Sequence, residues 1–129
     1  MSELQDLTTL VRAATPLLVI ETVDEQRVIE CFRHVISQAL HPLWRWTLTD
    51  GLNRLDFAQR EGDVAPDATA TLDAIRAQGE RGIYLMFDFH GLLRYAMSLR
   101  QMREIVQRQR SAAHTIVLVG ARVELPEEL

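Results

Sequence analysis

A carboxylate and an imidazole, Asp88 and His90, directly follow an apolar run of five residues from Ile83 to Phe87. A continuous apolar run of this length predicts a central strand of a parallel sheet that is covered by helices on both faces. In open sheets of this kind, ligands bind at the carboxyl ends of the strands. Asp88 and His90 are therefore the first candidates for a functional site.

The run that ends at Asp88 has the pattern with which P-loop ATPases hold Mg²⁺, an apolar strand followed by an aspartate. A working site of that kind also requires a glycine-rich loop and a lysine after the first strand. Here the first predicted strand leads into the acidic segment 21–25, no glycine precedes Gly51, and the chain contains no lysine. Phe89 stands where an ATPase of the AAA class has the glutamate that polarises water. These absences argue against a working site of this kind, and we predict no catalytic residue.

A structural role for Asp88 is the simpler interpretation, in which its side-chain oxygen caps the turn into the next helix. A metal site is the alternative, because Asp88 and His90 could both be ligands. Residues two apart beyond a strand end rarely chelate one ion without further ligands, and the other three histidines have no ligand spacing. We predict no metal in this chain, although a stand-alone divalent-metal phosphohydrolase using Asp88 and His90 stays open.

The composition is that of a single globular domain covering residues 1–129. The net charge of −4 argues against binding to nucleic acid or to an anionic membrane. No apolar run approaches the length of a membrane span, and the N-terminus lacks the features of a secretory signal, so we expect a cytoplasmic protein. All 14 basic residues are arginine, which excludes mechanisms that depend on a lysine.

Hydrophobic periodicity predicts alternating helices and strands. Helices are expected over 2–14, from 22 to about 40, from 66 to about 79 and from 92 to about 111, and strands over 17–20, 43–48, 55–57, 83–87 and 115–119. Thr22 and Glu25 are expected to cap the second helix, and 53–65 to form an exposed loop. This order predicts an α/β fold with three layers, α/β/α, around a mainly parallel sheet of at least four strands.

The last predicted helix has an apolar face and a basic flank at helical spacing. The predicted core face consists of Tyr95, Leu99, Met102 and Val106. The basic flank consists of Arg100, Arg103 and Arg110. Because guanidinium groups bind carboxylates in a bidentate manner, the flank is a candidate interaction surface for an acidic partner.

Several stretches, taken in order, resemble the N-terminal region of the AAA-type ATPases of cyanobacteria, algal plastids and other bacteria. The apolar strand and acidic helix start at 16–27 are similar to that family, as are the Trp-x-x-Thr-x-Gly-Leu segment at 46–52 and the Asp-x-His strand end at 87–90. The Leu-Pro-x-Glu-Leu ending at 125–129 also matches. The resemblance spans nearly the whole chain, and its specificity rests on the order of the motifs.

The resemblance implies a degenerate P-loop NTPase domain of RecA/AAA-like topology, without phosphate-binding residues. In such a domain, Asp88 and His90 occupy a degenerate Walker-B-like position, and the Asp88 strand lies inside the sheet. Such a domain precedes an active AAA module in a longer polypeptide, so we expect the native chain to continue past Leu129. The implied function is non-catalytic regulation or assembly. No cofactor is expected here, whereas the full-length protein would use ATP and Mg²⁺. The implied partners are its own C-terminal AAA module and neighbouring subunits of a homo-oligomer.

A protein-binding domain similar to the anti-sigma-factor antagonists is a further alternative. That class also has an apolar strand followed by a turn and a helix. The turn at 88–91 has no serine or threonine that could be phosphorylated, which distinguishes this chain from that class. The sequence alone leaves both this alternative and the phosphohydrolase open.

Overall fold

A computed structural model describes residues 3–38, 40–56, 66–109 and 112–129. The helices are α1 (Glu3–Arg12), α2 (Glu25–Gln38), α3 (Ala68–Ala77) and α4 (Ala96–Val106), with a 3₁₀ helix at Phe89–Arg94. The strands are β1 (Leu17–Glu21), β2 (Leu43–Thr47), β3 (Gly51–Arg54), β4 (Ile83–Phe87) and β5 (Thr115–Gly120). No helix in these described ranges is long and apolar enough to cross a membrane.

The five strands form one sheet in the order β1-β5-β4-β2-β3. Strands β1, β5, β4 and β2 are parallel to one another, and β3 is antiparallel to β2. Every residue of β4 and β5 is buried, because both strands have a neighbour on each side and helices on both faces. The mainly parallel sheet is confirmed, and the strand that ends at Asp88 lies inside it.

Helices cover both faces of the sheet and form two apolar clusters. On one face, α1 and α2 contribute Val11, Phe32 and Val35, which pack with Leu85 and Phe87 of β4 and related positions of β5. On the other face, α3, α4 and the 3₁₀ helix pack against the alternate residues of the same strands, including Tyr84 and Met86. This alternation follows from the period of two along a strand. The three-layer α/β/α fold of the P-loop NTPase type is confirmed.

The third strand lies at Gly51–Arg54, so the prediction of a strand at 55–57 is wrong. Gly51 has a φ of 72°, a conformation that glycine adopts without strain, and this lets the chain reverse after β2. Thr47 then pairs with Gly51 in the β2–β3 ladder. The predicted loop at 53–65 overlaps β3 at its start, and residues 57–65 lie outside the described residues.

The segment after β4 does not form one long helix, contrary to the prediction. A 3₁₀ helix occupies Phe89–Arg94, and α4 begins only at Ala96. Tyr95 lies between them in an extended conformation and is 52% exposed, so it is not part of the core face. The buried residues of α4 are Ser98, Gln101, Met102 and Ile105. Of the predicted core residues of this helix, only Met102 is fully buried, whereas Leu99 and Val106 are half-buried.

Candidate functional site

The carboxyl ends of β1, β2 and β4 meet at one edge of the sheet because these strands are parallel. A cleft of about 360 Å³ opens at this edge. Its lining includes Glu25 of α2, Trp46 and Thr47 of β2, Leu48, Asp88 and Leu92. Trp46 is buried, and its indole Nε1 donates to the carbonyl of Pro66 at 3.1 Å. The cleft therefore has a fixed apolar wall and two exposed carboxylates.

Asp88 leaves β4 in a left-handed conformation, with φ 61° and ψ 15°. Its backbone N–H donates to the carbonyl of Val119 at 2.8 Å, which continues the ladder between β4 and β5 by one bond. Its side chain is exposed and does not cap the 3₁₀ helix that follows. The predicted capping role of Asp88 is therefore wrong, because the left-handed backbone makes the turn without help from the carboxylate. A residue other than glycine in this conformation stores backbone strain.

His90 packs directly on Gly120, the last residue of β5. A Cβ atom added at Gly120 would lie 2.5 Å from His90 Cε1 and 3.4 Å from Asp88 Oδ1. Gly120 therefore brings Asp88 and His90 together, since any larger residue would displace the imidazole. His90 Nδ1 is buried and has no hydrogen-bond partner among the described residues. The sequence analysis overlooked Gly120, although a glycine that ends a β-branched run was the available signal.

The connection between β1 and α2 stands where a P-loop would bind phosphates. Asp24 caps α2, since its Oδ1 accepts from the N–H of Arg27 at 3.2 Å. Thr22 Oγ1 accepts from the N–H of Asp24 at 3.1 Å, so the predicted capping pair of Thr22 and Glu25 is wrong. The carboxylate of Glu21 accepts from the N–H of Val123 at 3.0 Å. In this loop, Asp24 already binds an N–H group at the start of α2, which is where a P-loop binds the phosphates of a nucleotide.

Metal ligands are not grouped in the described parts of the chain. Within residues 3–38, 40–56, 66–109 and 112–129, no set of three or more histidine, cysteine, aspartate or glutamate side chains is placed to hold a metal ion. Asp88 and His90 lie close together at Gly120 but have no third ligand in these ranges.

The basic flank of α4 is partly engaged within the domain. Arg100 is 58% exposed and its Nε lies 3.2 Å from Glu104 Oε2, while Arg76 of α3 binds the other oxygen of Glu104 at 3.1 Å. Arg103 is half-buried, and its Nε has no hydrogen-bond partner in the described structure. Arg110 lies outside the described residues. The interaction surface therefore stays a prediction, with Arg100 its most exposed described member.

His114 is a buried structural histidine at the start of β5. Its Nδ1 accepts a hydrogen bond from the backbone N–H of Gly82 at 3.0 Å. Its ring packs edge-on against Tyr84, with ring centroids 5.1 Å apart. Burial is the main cause that lowers the pKa of His114; the backbone of Ile75 and Gln78 opposes it, and the charge of Arg81 adds to the lowering. Burial also raises the pKa of the Tyr84 hydroxyl.

The fold and this edge define a class: an α/β domain of the P-loop NTPase type whose phosphate-binding loop is replaced by an acidic helix cap. The family is more specific. Residues 3–129 match the family described as SpoVK-like AAA ATPase, N-terminal domain, and the chain belongs to it. The resemblance found in the sequence is confirmed.

A curated relative supports the same assignment. The uncharacterized AAA domain-containing protein ycf46 of Trieres chinensis is 24% identical to this chain over 127 residues. The alignment covers 96% of this chain and 25% of the relative, so the chain spans about a quarter of that protein's length. No solved structure matches the chain.

Proposed function

We propose that residues 1–129 form a non-catalytic regulatory or assembly domain of an ATP-driven remodelling protein. In this proposal, ATP and Mg²⁺ bind an AAA module elsewhere in the full-length polypeptide. The domain contributes surface rather than chemistry, and it contacts that module and neighbouring subunits of a homo-oligomer. The family match over residues 3–129 supports the place of the domain in such a protein.

The observation that carries the proposal is the acidic cap at the β1–α2 connection. Asp24 binds the N–H of Arg27 at the start of α2, where the phosphates of a nucleotide would bind in this fold class. Glu21 and Glu25 add negative charge on either side of it. Like charges a few ångströms apart in a partly desolvated cleft cost on the order of 1 kcal/mol or more each. A triphosphate would meet repulsion here and no lysine to balance it.

A phosphohydrolase that uses Asp88 and His90 is less well supported. The two residues lie together at Gly120, but within the described ranges no third ligand completes a metal site. An independent binding domain similar to the anti-sigma-factor antagonists is also less well supported, because the family match covers nearly the whole chain. Regulation or assembly within an AAA protein is therefore the preferred function.

Isothermal titration of residues 1–129 with Mg-ATP tests the proposal. We expect no saturable heat at micromolar nucleotide, because the loop after β1 lacks the glycines and the lysine with which a P-loop binds phosphates. Circular dichroism of the same sample verifies that the domain is folded. The control is Asp88→Ala, which changes the only carboxylate at the Walker-B-like position. A dissociation constant of about 1–100 μM that Asp88→Ala abolishes would show a working nucleotide site and contradict the proposal.

A further inference from the structure

Strand β1 forms one edge of the sheet, with β5 as its neighbour. The N–H of Ile116 donates to the carbonyl of Pro16, and the N–H of Thr22 donates to the carbonyl of Gly120. Because backbone groups alternate in direction along a strand, the even-numbered residues of β1 face β5. The N–H and C=O groups of Leu17, Val19 and Glu21 therefore point away from the sheet.

The side chains of β1 resemble those of an internal strand. Its sequence is Leu-Leu-Val-Ile-Glu, four consecutive apolar residues followed by one glutamate, and Val19 is 40% exposed. Natural edge strands are usually protected by charges, proline, bulges or short length. The opposite edge strand, β3, follows that rule, since it has four residues and carries Asn53 and Arg54. Strand β1 lacks such protection between its ends, which indicates that another strand pairs with it.

The direction of the chain after β5 indicates where such a strand comes from. The crossover from β1 to β2 passes through α2 on one face of the sheet. The crossovers from β3 to β4 and from β4 to β5 run in the opposite direction across the sheet, and they pass through α3 and α4 on the other face. A right-handed crossover from β5 to a position beyond β1 must also use the α3–α4 face. Val123, Leu125 and Leu129 pack against the apolar cluster of this face, to which Leu17 also belongs.

The first step of this path also leads toward β1. The N–H of Val123 donates to Glu21 Oε2 at 3.0 Å, so the chain crosses the carboxyl end of β1 directly after leaving β5. Val19 points to the same face as Leu17 because the two residues are two apart in a strand. A helix on this path would cover the exposed Val19 before the chain turned back to form a strand.

We propose that the outer edge of β1 binds a sixth, parallel strand from the polypeptide that follows this domain in the full-length protein. The family is an N-terminal domain, and the curated relative is about four times as long as this chain, so such a polypeptide is available. The bound segment is extended and apolar, since it lies beside a buried sheet. Its pairing fixes the AAA module that follows to this edge of the domain. The inference holds whether or not the domain binds ATP.

Residue-resolved hydrogen exchange of the full-length protein tests this pairing. We expect the outward amides of Leu17, Val19 and Glu21 to exchange about 100-fold or more slowly than unprotected amides. The inward amides of Leu18 and Ile20, which pair with β5, are the internal reference for a folded sheet. Fast exchange at the three outward positions, together with slow exchange at the inward ones, would overturn the proposal.

Dilution distinguishes the possible occupants. Protection that is independent of protein concentration is expected for a strand from the same polypeptide. Protection that disappears when an oligomer is diluted to monomer would assign the edge to a second copy and overturn our assignment. If the outer edge of β1 becomes protected only when cell extract is added, the edge binds another protein, and this result would also overturn our assignment.

A pair of substitutions separates the outer edge from the rest of the sheet. Val19→Pro removes an N–H that does not pair with β5 and places the proline ring where the sixth strand would lie. We expect fast exchange at Leu17 and Glu21 in this variant, with Leu18 and Ile20 still protected. Val19→Thr keeps the N–H and is the matched control. Unchanged protection of Leu17 and Glu21 in Val19→Pro would overturn the proposal, and if that variant does not fold, the wild-type measurement decides.

Discussion

At the scale of single residues, the carboxyl edge of the sheet is organised by His90 and Gly120. The imidazole occupies the space that a side chain at Gly120 would need, and the carboxylate of Asp88 lies next to it. The sequence could predict the positions of Asp88 and His90 because they follow an apolar run. It could not predict their contact with Gly120, because that contact depends on β4 and β5 being neighbours, although residues 88 and 120 are far apart in the chain.

Substitution of Gly120 tests how tightly this turn is packed. Gly120→Ala places a methyl group 2.5 Å from His90 Cε1 and should lower the free energy of unfolding by about 1–3 kcal/mol. His90→Ala removes the ring and should restore about 1 kcal/mol or more in the double variant. Urea unfolding of the wild type, both single variants and the double variant measures this coupling. Additive effects would show that the two residues do not compete for space.

His114 should make stability depend on pH. Its pKa is lowered by burial, so the unfolded chain, with a value near 6.5, binds a proton more readily than the folded chain. The free energy of unfolding is therefore fully retained above that value and decreases as the pH falls through it. Protonation of Nδ1 would also remove its hydrogen bond from the N–H of Gly82.

His114→Asn is the variant that tests this effect. The side-chain oxygen of asparagine can accept from Gly82 but does not titrate. We expect the melting temperature of the wild type to fall more steeply than that of His114→Asn between about pH 7.5 and 5.5. The pKa of His41 is also lowered by burial, and it contributes equally to both proteins. Parallel pH profiles would exclude His114 as the titrating group.

At the scale of elements, the parallel strands were predictable and the segments between them were less so. Strands β1, β4 and β5 have continuous apolar runs, and β2 alternates tryptophans with Arg45. The predicted ranges of all four agree with the structure to within about one residue. The start of α4 was misplaced because 3₁₀ and α-helical segments have similar spacing over a few residues. The hairpin strand β3 was misplaced because Gly-Leu-Asn-Arg has no apolar alternation, and its position depends on pairing with β2.

Helices α3 and α4 are joined by charged groups that complicate a test of the basic flank. Glu104 of α4 binds Arg100 on its own helix and Arg76 on α3. A charge reversal at Arg100 would place a second carboxylate beside Glu104 and weaken the contact between the helices. Neutral glutamine is therefore the appropriate replacement, because it removes the cation without adding repulsion.

At the scale of the whole molecule, the net charge of −4 is unevenly distributed. The carboxyl edge of the sheet carries Glu21, Asp24 and Asp88, whereas the exposed part of α4 carries Arg100. Such a separation of charge favours a defined orientation against an acidic partner. The sequence could predict the basic flank from helical spacing, but it could not reveal that Glu104 already binds Arg100.

We predict that the combined change Arg100→Gln and Arg103→Gln weakens assembly of the full-length protein. The expected effect is about tenfold in the subunit dissociation constant, which corresponds to a loss of about 1.4 kcal/mol. Analytical ultracentrifugation over a concentration series measures it. Arg33→Gln with Arg122→Gln is the matched control, since it removes two exposed arginines elsewhere. Equal assembly of the two double variants, each with an unchanged melting temperature, would show that the flank is only solvated.

The pairing of β1 with β5 has a consequence for synthesis of the protein on the ribosome. Leu17 pairs with Ile116, so the second element of the chain must wait for the last one before the sheet can close. At about 5–20 residues per second, this delay lasts roughly 5–20 s. Pairing over such a sequence distance also slows folding itself, because a long loop must close first. During that interval the apolar run of β1 is an exposed target for chaperones, and a nascent chain that stalls before Thr115 cannot complete the fold.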